Sequence, residues 1–107
     1  MNTHRLAEER SLALHRAVAD VLRRDPVRLG EARDRVQKWR AEGLMHPYYA
    51  ERWTCLLDGP LEELLRALVD ESEDARALRQ STPFTGFVEP RVRWKIWREV
   101  RERMTGE

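Results

Sequence analysis

Residues 59–69 read Gly59-Pro60-Leu61-Glu62-Glu63-Leu64-Leu65-Arg66-Ala67-Leu68-Val69. Leu61, Leu64, Leu65 and Leu68 return at intervals of three and four, which on a helix gathers them into one stripe. A strand would divide the same residues between its two faces. Pro60 suits a first turn, where its missing N–H leaves no bond unmade. The segment therefore predicts an amphipathic helix, and it is the most apolar piece of the chain.

Working outward, Pro and Gly cut the rest into pieces of similar size: Asp25-Pro26, Gly43, His46-Pro47, Pro83 with Gly86, and Glu89-Pro90. A first helix is expected from about Thr3 to Arg24, capped by Asn2 or Thr3, with a stripe of Leu14, Ala17, Val18, Val21 and Leu22. A second is expected from Pro26 to Glu42, capped by Asp25 and stopped by Gly43, with Leu29, Ala32, Val36 and Trp39 inward. The third, Pro47–Asp58, aligns Tyr49, Trp53, Leu56 and Leu57. After the Pro60–Val69 helix, Ser72 caps a short one through Gln80 that uses Ala75 and Leu78. The last runs from Pro90 to about Met104, with Val92, Ile96, Trp97 and Val100 as its stripe. No hairpin chemistry, internal repeat or low-complexity tract interrupts the pattern. The expected fold is all-α, a compact array of five to six helices in a single domain spanning residues 1–107.

Totals narrow the function. A chain of 107 residues has room for one core, and 41% apolar with 36% charged residues is too apolar for disorder. The 20 basic and 19 acidic side chains nearly cancel, which argues against generic coating of nucleic acid. The single Cys55 excludes an internal disulfide and a multi-cysteine zinc site, and fits a reducing compartment. The start, MNTHRLAEER, has no apolar core of signal-peptide type, and no apolar run approaches the roughly 20 residues of a membrane helix. A cytoplasmic protein is expected, without membrane contact, cofactor or metal.

Charge is uneven along the chain. Residues 60–80 hold six acidic and three basic side chains, whereas residues 89–107 hold six basic and four acidic ones. Such bias usually marks solvated helix faces. It also makes Glu62, Glu63, Glu73 and Asp74 a candidate surface for a basic partner.

Catalytic patterns are weak. Glu8, Ser11 and His15 share one side of a helix, yet a triad needs a pocket and an oxyanion hole, and nothing in the sequence supplies them. Arg10 to His15, RSLALH, resembles the Arg-four-residues-His motif of the helical HEPN ribonuclease toxins. Five residues of continuous helix turn through about 500°, so the two side chains point about 140° apart. A packed or locally hydrogen-bonded His15 is preferred to a ribonuclease.

Two segments carry the binding candidates. In PRVRWKIWRE (residues 90–99) and its continuation, basic residues interleave with Trp94 and Trp97. Trp97 falls on the apolar stripe, whereas Trp94 lies off it. The period-free STPFTGFVEP (residues 81–90) holds both Phe residues. Burial of Phe84 and Phe87 under a long connection is the simpler reading, and an exposed aromatic anchor beside Trp94 is the alternative.

The stretches SLALHRAVADVLRRDP (residues 11–26) and LLDGPLEELLRALVDESEDARALRQSTPFTGFVEPRVRWKIWREVRER (residues 56–103) resemble a family of small helical proteins of high-GC bacteria. ALRQSTPF followed by Gly86, and PRVRWKIWRE, carry the likeness. Similar domains occur alone or behind a repressor-type helix-turn-helix module and are regarded as antitoxin-like or regulatory, some beside nucleotidyltransferase-like toxins. No helix-turn-helix module precedes the helical domain in this sequence, so the resemblance implies partner binding and not autonomous promoter binding. The expectation is a non-enzymatic interaction module whose partner is another protein. Its binding residues would be Phe84, Phe87 and Trp94 as anchors, with Arg91, Arg98 and Arg101 around them. The alternatives are a nucleic-acid-binding regulator using the last helix, and a HEPN-like ribonuclease using Arg10 and His15.

Overall fold

Apolar stripes at helical spacing have only one another to cover them, and they assemble accordingly. A computed structural model describes residues 3–106 as six helices. They are α1 (Thr3–Arg24), α2 (Leu29–Ala41), α3 (Pro47–Asp58), α4 (Leu61–Leu68), α5 (Glu73–Arg79) and α6 (Pro90–Thr105), with a 3₁₀ turn over Pro26–Arg28. No strand occurs among the described residues. The radius of gyration is 14.1 Å, close to the roughly 13 Å of a compact 100-residue domain. The expected all-α array in one globule is what forms. A cap from Asn2 falls outside the described residues.

Helix α1 packs mainly on α6, and α2 on α3, while α4 bridges α1 and α3. The core takes Val18 and Leu22 from α1, Ala32 and Val36 from α2, and Ala50, Trp53 and Leu57 from α3. From α4 it takes Leu64, Leu65 and Leu68, the stripe read at residues 59–69. No described helix is long and apolar enough to cross a membrane.

The ends follow local chemistry, with corrections. His46 caps α3 by accepting the Tyr48 N–H, and the Ser72 hydroxyl accepts the Ala75 N–H to start α5. Gly43 ends the α2 region at φ +72°, a left-handed conformation that disfavours a Cβ. Asp25 makes no side-chain cap, because the chain enters α2 through the 3₁₀ turn and not directly from Pro26. Val92, placed on the inner stripe of α6 by its spacing, is 41% exposed. Val92 lines an open groove beside Ala17, Val21 and Arg24 of α1, which leaves it accessible.

The short α4 ends on an unusual cap. Arg79 of α5 is buried and donates through Nη1 to the carbonyls of Leu68 (3.2 Å) and Asp70 (2.6 Å). Free carbonyls and the helix dipole both favour a cation at this end. Burial, then the neighbouring Arg76, lowers the pKa of this guanidinium below its ordinary value.

Candidate interaction surface

The segment 81–89 has no helical period, so its backbone polar groups need partners from elsewhere. Two arginines on one side of the 3₁₀–α2 segment supply them. Arg28 donates to the Phe87 carbonyl (3.2 Å), and Arg35 donates to the carbonyls of Pro83 (3.0 Å) and Thr85. Both guanidinium groups also lie over the Phe87 ring, at 4.3 and 5.4 Å from its centroid. The Phe84 ring meets Trp53 at 5.7 Å and Phe87 at 5.2 Å, each edge-to-face. Phe84 and Phe87 are each 2% exposed. The expectation that they serve as exposed anchors is therefore corrected: a long connection brings two large rings to the core, and burying them is its favourable term.

The same segment pins α1. His15 is buried, with Nδ1 2.7 Å from the Ser11 carbonyl and Nε2 2.9 Å from the Thr82 hydroxyl. A carbonyl only accepts, so Nδ1 carries the proton and Nε2 accepts from Thr82. Burial pushes the pKa of His15 down to about 4, outweighing the Ser11 carbonyl, and the Arg79 charge acts in the same direction. The imidazole is neutral at pH 7 with both nitrogens engaged. Arg10 is directed elsewhere, its Cζ 5.3 Å from the Trp97 ring. The two residues of the ribonuclease-like spacing thus serve different contacts, Arg10 with α6 and His15 with the 81–89 segment.

Helix α6 presents the opposite situation. Trp94 is 57% exposed and stands edge-to-face on Trp97 at 5.6 Å. The guanidinium groups of Arg10 (5.3 Å) and Arg93 (5.2 Å) both lie over the Trp97 ring. Trp94 is therefore a supported ring on the surface. At 100° per residue, Arg91, Trp94, Arg98 and Arg101 fall within an arc of about 80° on one side of α6, and all four are exposed. None of Arg91, Arg93, Arg98 and Arg101 forms an ion pair among the described residues. Elsewhere on the helix, Lys95 pairs with Glu99 and Arg103 with Glu9 of α1. The structure thus keeps Trp94 with Arg91, Arg98 and Arg101 together and removes Phe84 and Phe87 from the set.

The acidic candidates Glu62, Glu63, Glu73 and Asp74 are all exposed. Asp74 is already paired with Arg52 of α3. Beside the other flank of α6 lies an open groove of about 600 Å³, lined in part by Asp20, Arg24, Val88 and Val92. Its mixed charges point to no one ligand. Among the described residues no group of three His, Cys, Asp or Glu side chains could hold a metal ion.

Arg10, Arg28, Arg35 and Arg93 were not legible as structural residues by charge alone. Position held the signal: Arg28 and Arg35 flank Ala32 and Val36, and Arg93 precedes Trp97 by one helical turn. The chain matches no protein-family model, no curated protein and no solved structure. Its likeness to the antitoxin-like proteins rests on the residues quoted for it alone.

Proposed function

We propose that this chain is a non-enzymatic interaction module of the cytoplasm, the antitoxin-like or regulatory half of a two-protein system. The observation that carries the reading is Trp94, a half-exposed indole propped by Trp97, beside Arg91, Arg98 and Arg101, which form no ion pair among the described residues. Trp and Arg are enriched among the residues that dominate protein interfaces, because a rigid ring buries a large apolar area and a weakly hydrated planar cation forms bidentate and stacked contacts. The resemblance supplies the class of partner, a toxin-type enzyme such as a nucleotidyltransferase-like one. Binding would then cover or distort that enzyme's site. The non-catalytic reading of His15 is supported by its two ring nitrogens, which are both engaged in hydrogen bonds.

The test is affinity capture from the native cell with the wild type and with Trp94→Ala. A partner held by the wild type and lost by a folded Trp94→Ala supports the reading, and equal capture by both contradicts it. The unpaired arginines favour one second reading, a nucleic-acid-binding regulator. It predicts instead binding that weakens steeply with salt, by roughly 0.7–0.9 log units per log unit of salt for each phosphate contacted.

A further inference from the structure

On α6, Arg91, Trp94, Arg98 and Arg101 follow one another at steps of three, four and three residues. With a rise of 1.5 Å per residue they stand at heights of about 0, 4.5, 10.5 and 15 Å along one nearly straight stripe. A partner helix laid along α6 presents its own side chains at the same alternating steps and can match all four. A strand would repeat its contacts evenly, every 6.8 Å or so, and would drift out of step. From this juxtaposition we propose that the Trp94 stripe of α6 receives an amphipathic helix of a protein partner, carrying carboxylates that meet Arg91, Arg98 and Arg101 around an apolar side chain seated on Trp94. The inference rests on the interaction-module reading and adds the chemistry and shape of the occupant.

Charge selects among the possible occupants. A second copy laid on the same stripe by a two-fold axis would bring arginine against arginine, so self-association on this face is opposed. A nucleic-acid strand would also gain from the arginines, but as a dense polyanion it is held best by a strongly basic surface. The chain as a whole carries a formal net charge of only +1, too little to hold a long polyanion by its field. A helix with a few placed carboxylates needs no such field. It needs local pairing, and unpaired arginines offer that without first breaking an existing ion pair.

The probe is a labelled alanine-based helical peptide of about 17 residues with Glu and Leu at matching 3–4 steps. It is compared with a permuted peptide of equal composition and helicity, and with a single-stranded RNA of similar length. The inference predicts that the patterned peptide binds at least tenfold more tightly than the permuted one. It also predicts that the Trp94 indole N–H resonance, assigned by its loss in Trp94→Phe, shifts on binding. The triple variant Arg91→Glu/Arg98→Glu/Arg101→Glu should lose the peptide and instead accept one with Lys in place of Glu, a swap that a folding defect would not produce. Equal affinity for patterned and permuted peptides overturns the inference, as does tighter binding of the RNA, a Trp94-dependent dimer in sedimentation, or no binding by any probe. The interaction-module reading fails separately, if native-cell capture is the same for the wild type and Trp94→Ala.

Discussion

His15 Nε2 and the Thr82 hydroxyl, 67 residues apart in the sequence, share a hydrogen bond of 2.9 Å. Thr82 also accepts the N–H of Phe84 at 3.1 Å. Through one hydroxyl, α1 is tied to the turn that sends both Phe rings inward. Burial keeps the imidazole neutral at pH 7, and in that state Thr82 donates to Nε2.

A pH dependence follows. The native imidazole titrates at about 4 against an ordinary 6.5. Between those values the unfolded chain binds a proton that the folded chain does not, so stability is fully present above pH 6.5 and falls as pH drops toward 4. The whole effect is on the order of 3 kcal/mol. Urea unfolding at pH 7 and pH 4.5 should show the loss in the wild type and a much smaller pH effect in His15→Gln. An equal pH effect in both would remove His15 as its source.

The buried and exposed aromatics should separate cleanly. Phe84→Ala opens a cavity beside Trp53 and Phe87→Ala one beside Phe84, and each should lower stability by about 3–5 kcal/mol. Trp94→Ala removes one edge-to-face contact and should change it by about 1 kcal/mol. Thermal or urea unfolding of the three variants checks the ordering, and a Trp94→Ala loss as large as the Phe losses would place that indole in the core.

Arg35 should hold the 81–89 segment and not the helices. Replacing it with Ala leaves the Pro83 and Thr85 carbonyls without their donor. Amide hydrogen exchange should then quicken around Thr82–Val88 by tenfold or more while α3 and α4 keep their protection. Uniform loss of protection across the chain would mean that Arg35 supports the whole core.

Arg79 makes a comparable case for α4. A cation donating to two backbone carbonyls is worth roughly 1.5–3 kcal/mol. Arg79→Gln should lower stability by about that amount and loosen the Leu65–Asp70 amides first. Exchange changes confined to α5 would contradict the capping role.

Helix positions were legible wherever apolar spacing and Pro or Gly punctuation agreed, as at residues 59–69 and Pro47–Asp58. They were misread where a local feature overrode the spacing. Pro26–Arg28 tightens into a 3₁₀ turn, and Val92 keeps helical register but lines an open groove beside α1. The binding set was half legible. Trp94 stands apart from the stripe Val92-Ile96-Val100 by simple angle counting, so its exposure was readable. The fate of Phe84 and Phe87 turns on Arg28 and Arg35, about 50 residues or more earlier, and no local pattern reports contacts at that separation. The contacts of Arg10 and Arg93 with Trp97 were illegible for a related reason: a cation on an aromatic face looks like a solvated charge until the ring beneath it is placed.

The proposed contact between the Trp94 side of α6 and another protein can be trapped directly. The direct measurement places a photo-crosslinking residue at position 98, and separately at exposed Gln37 of α2, in the native cell. Position 98 should yield a discrete protein adduct that disappears when Trp94→Ala is added, and position 37 should yield none. Adducts from position 37 but not 98, or adducts from 98 that are RNA or persist in Trp94→Ala, would contradict the account.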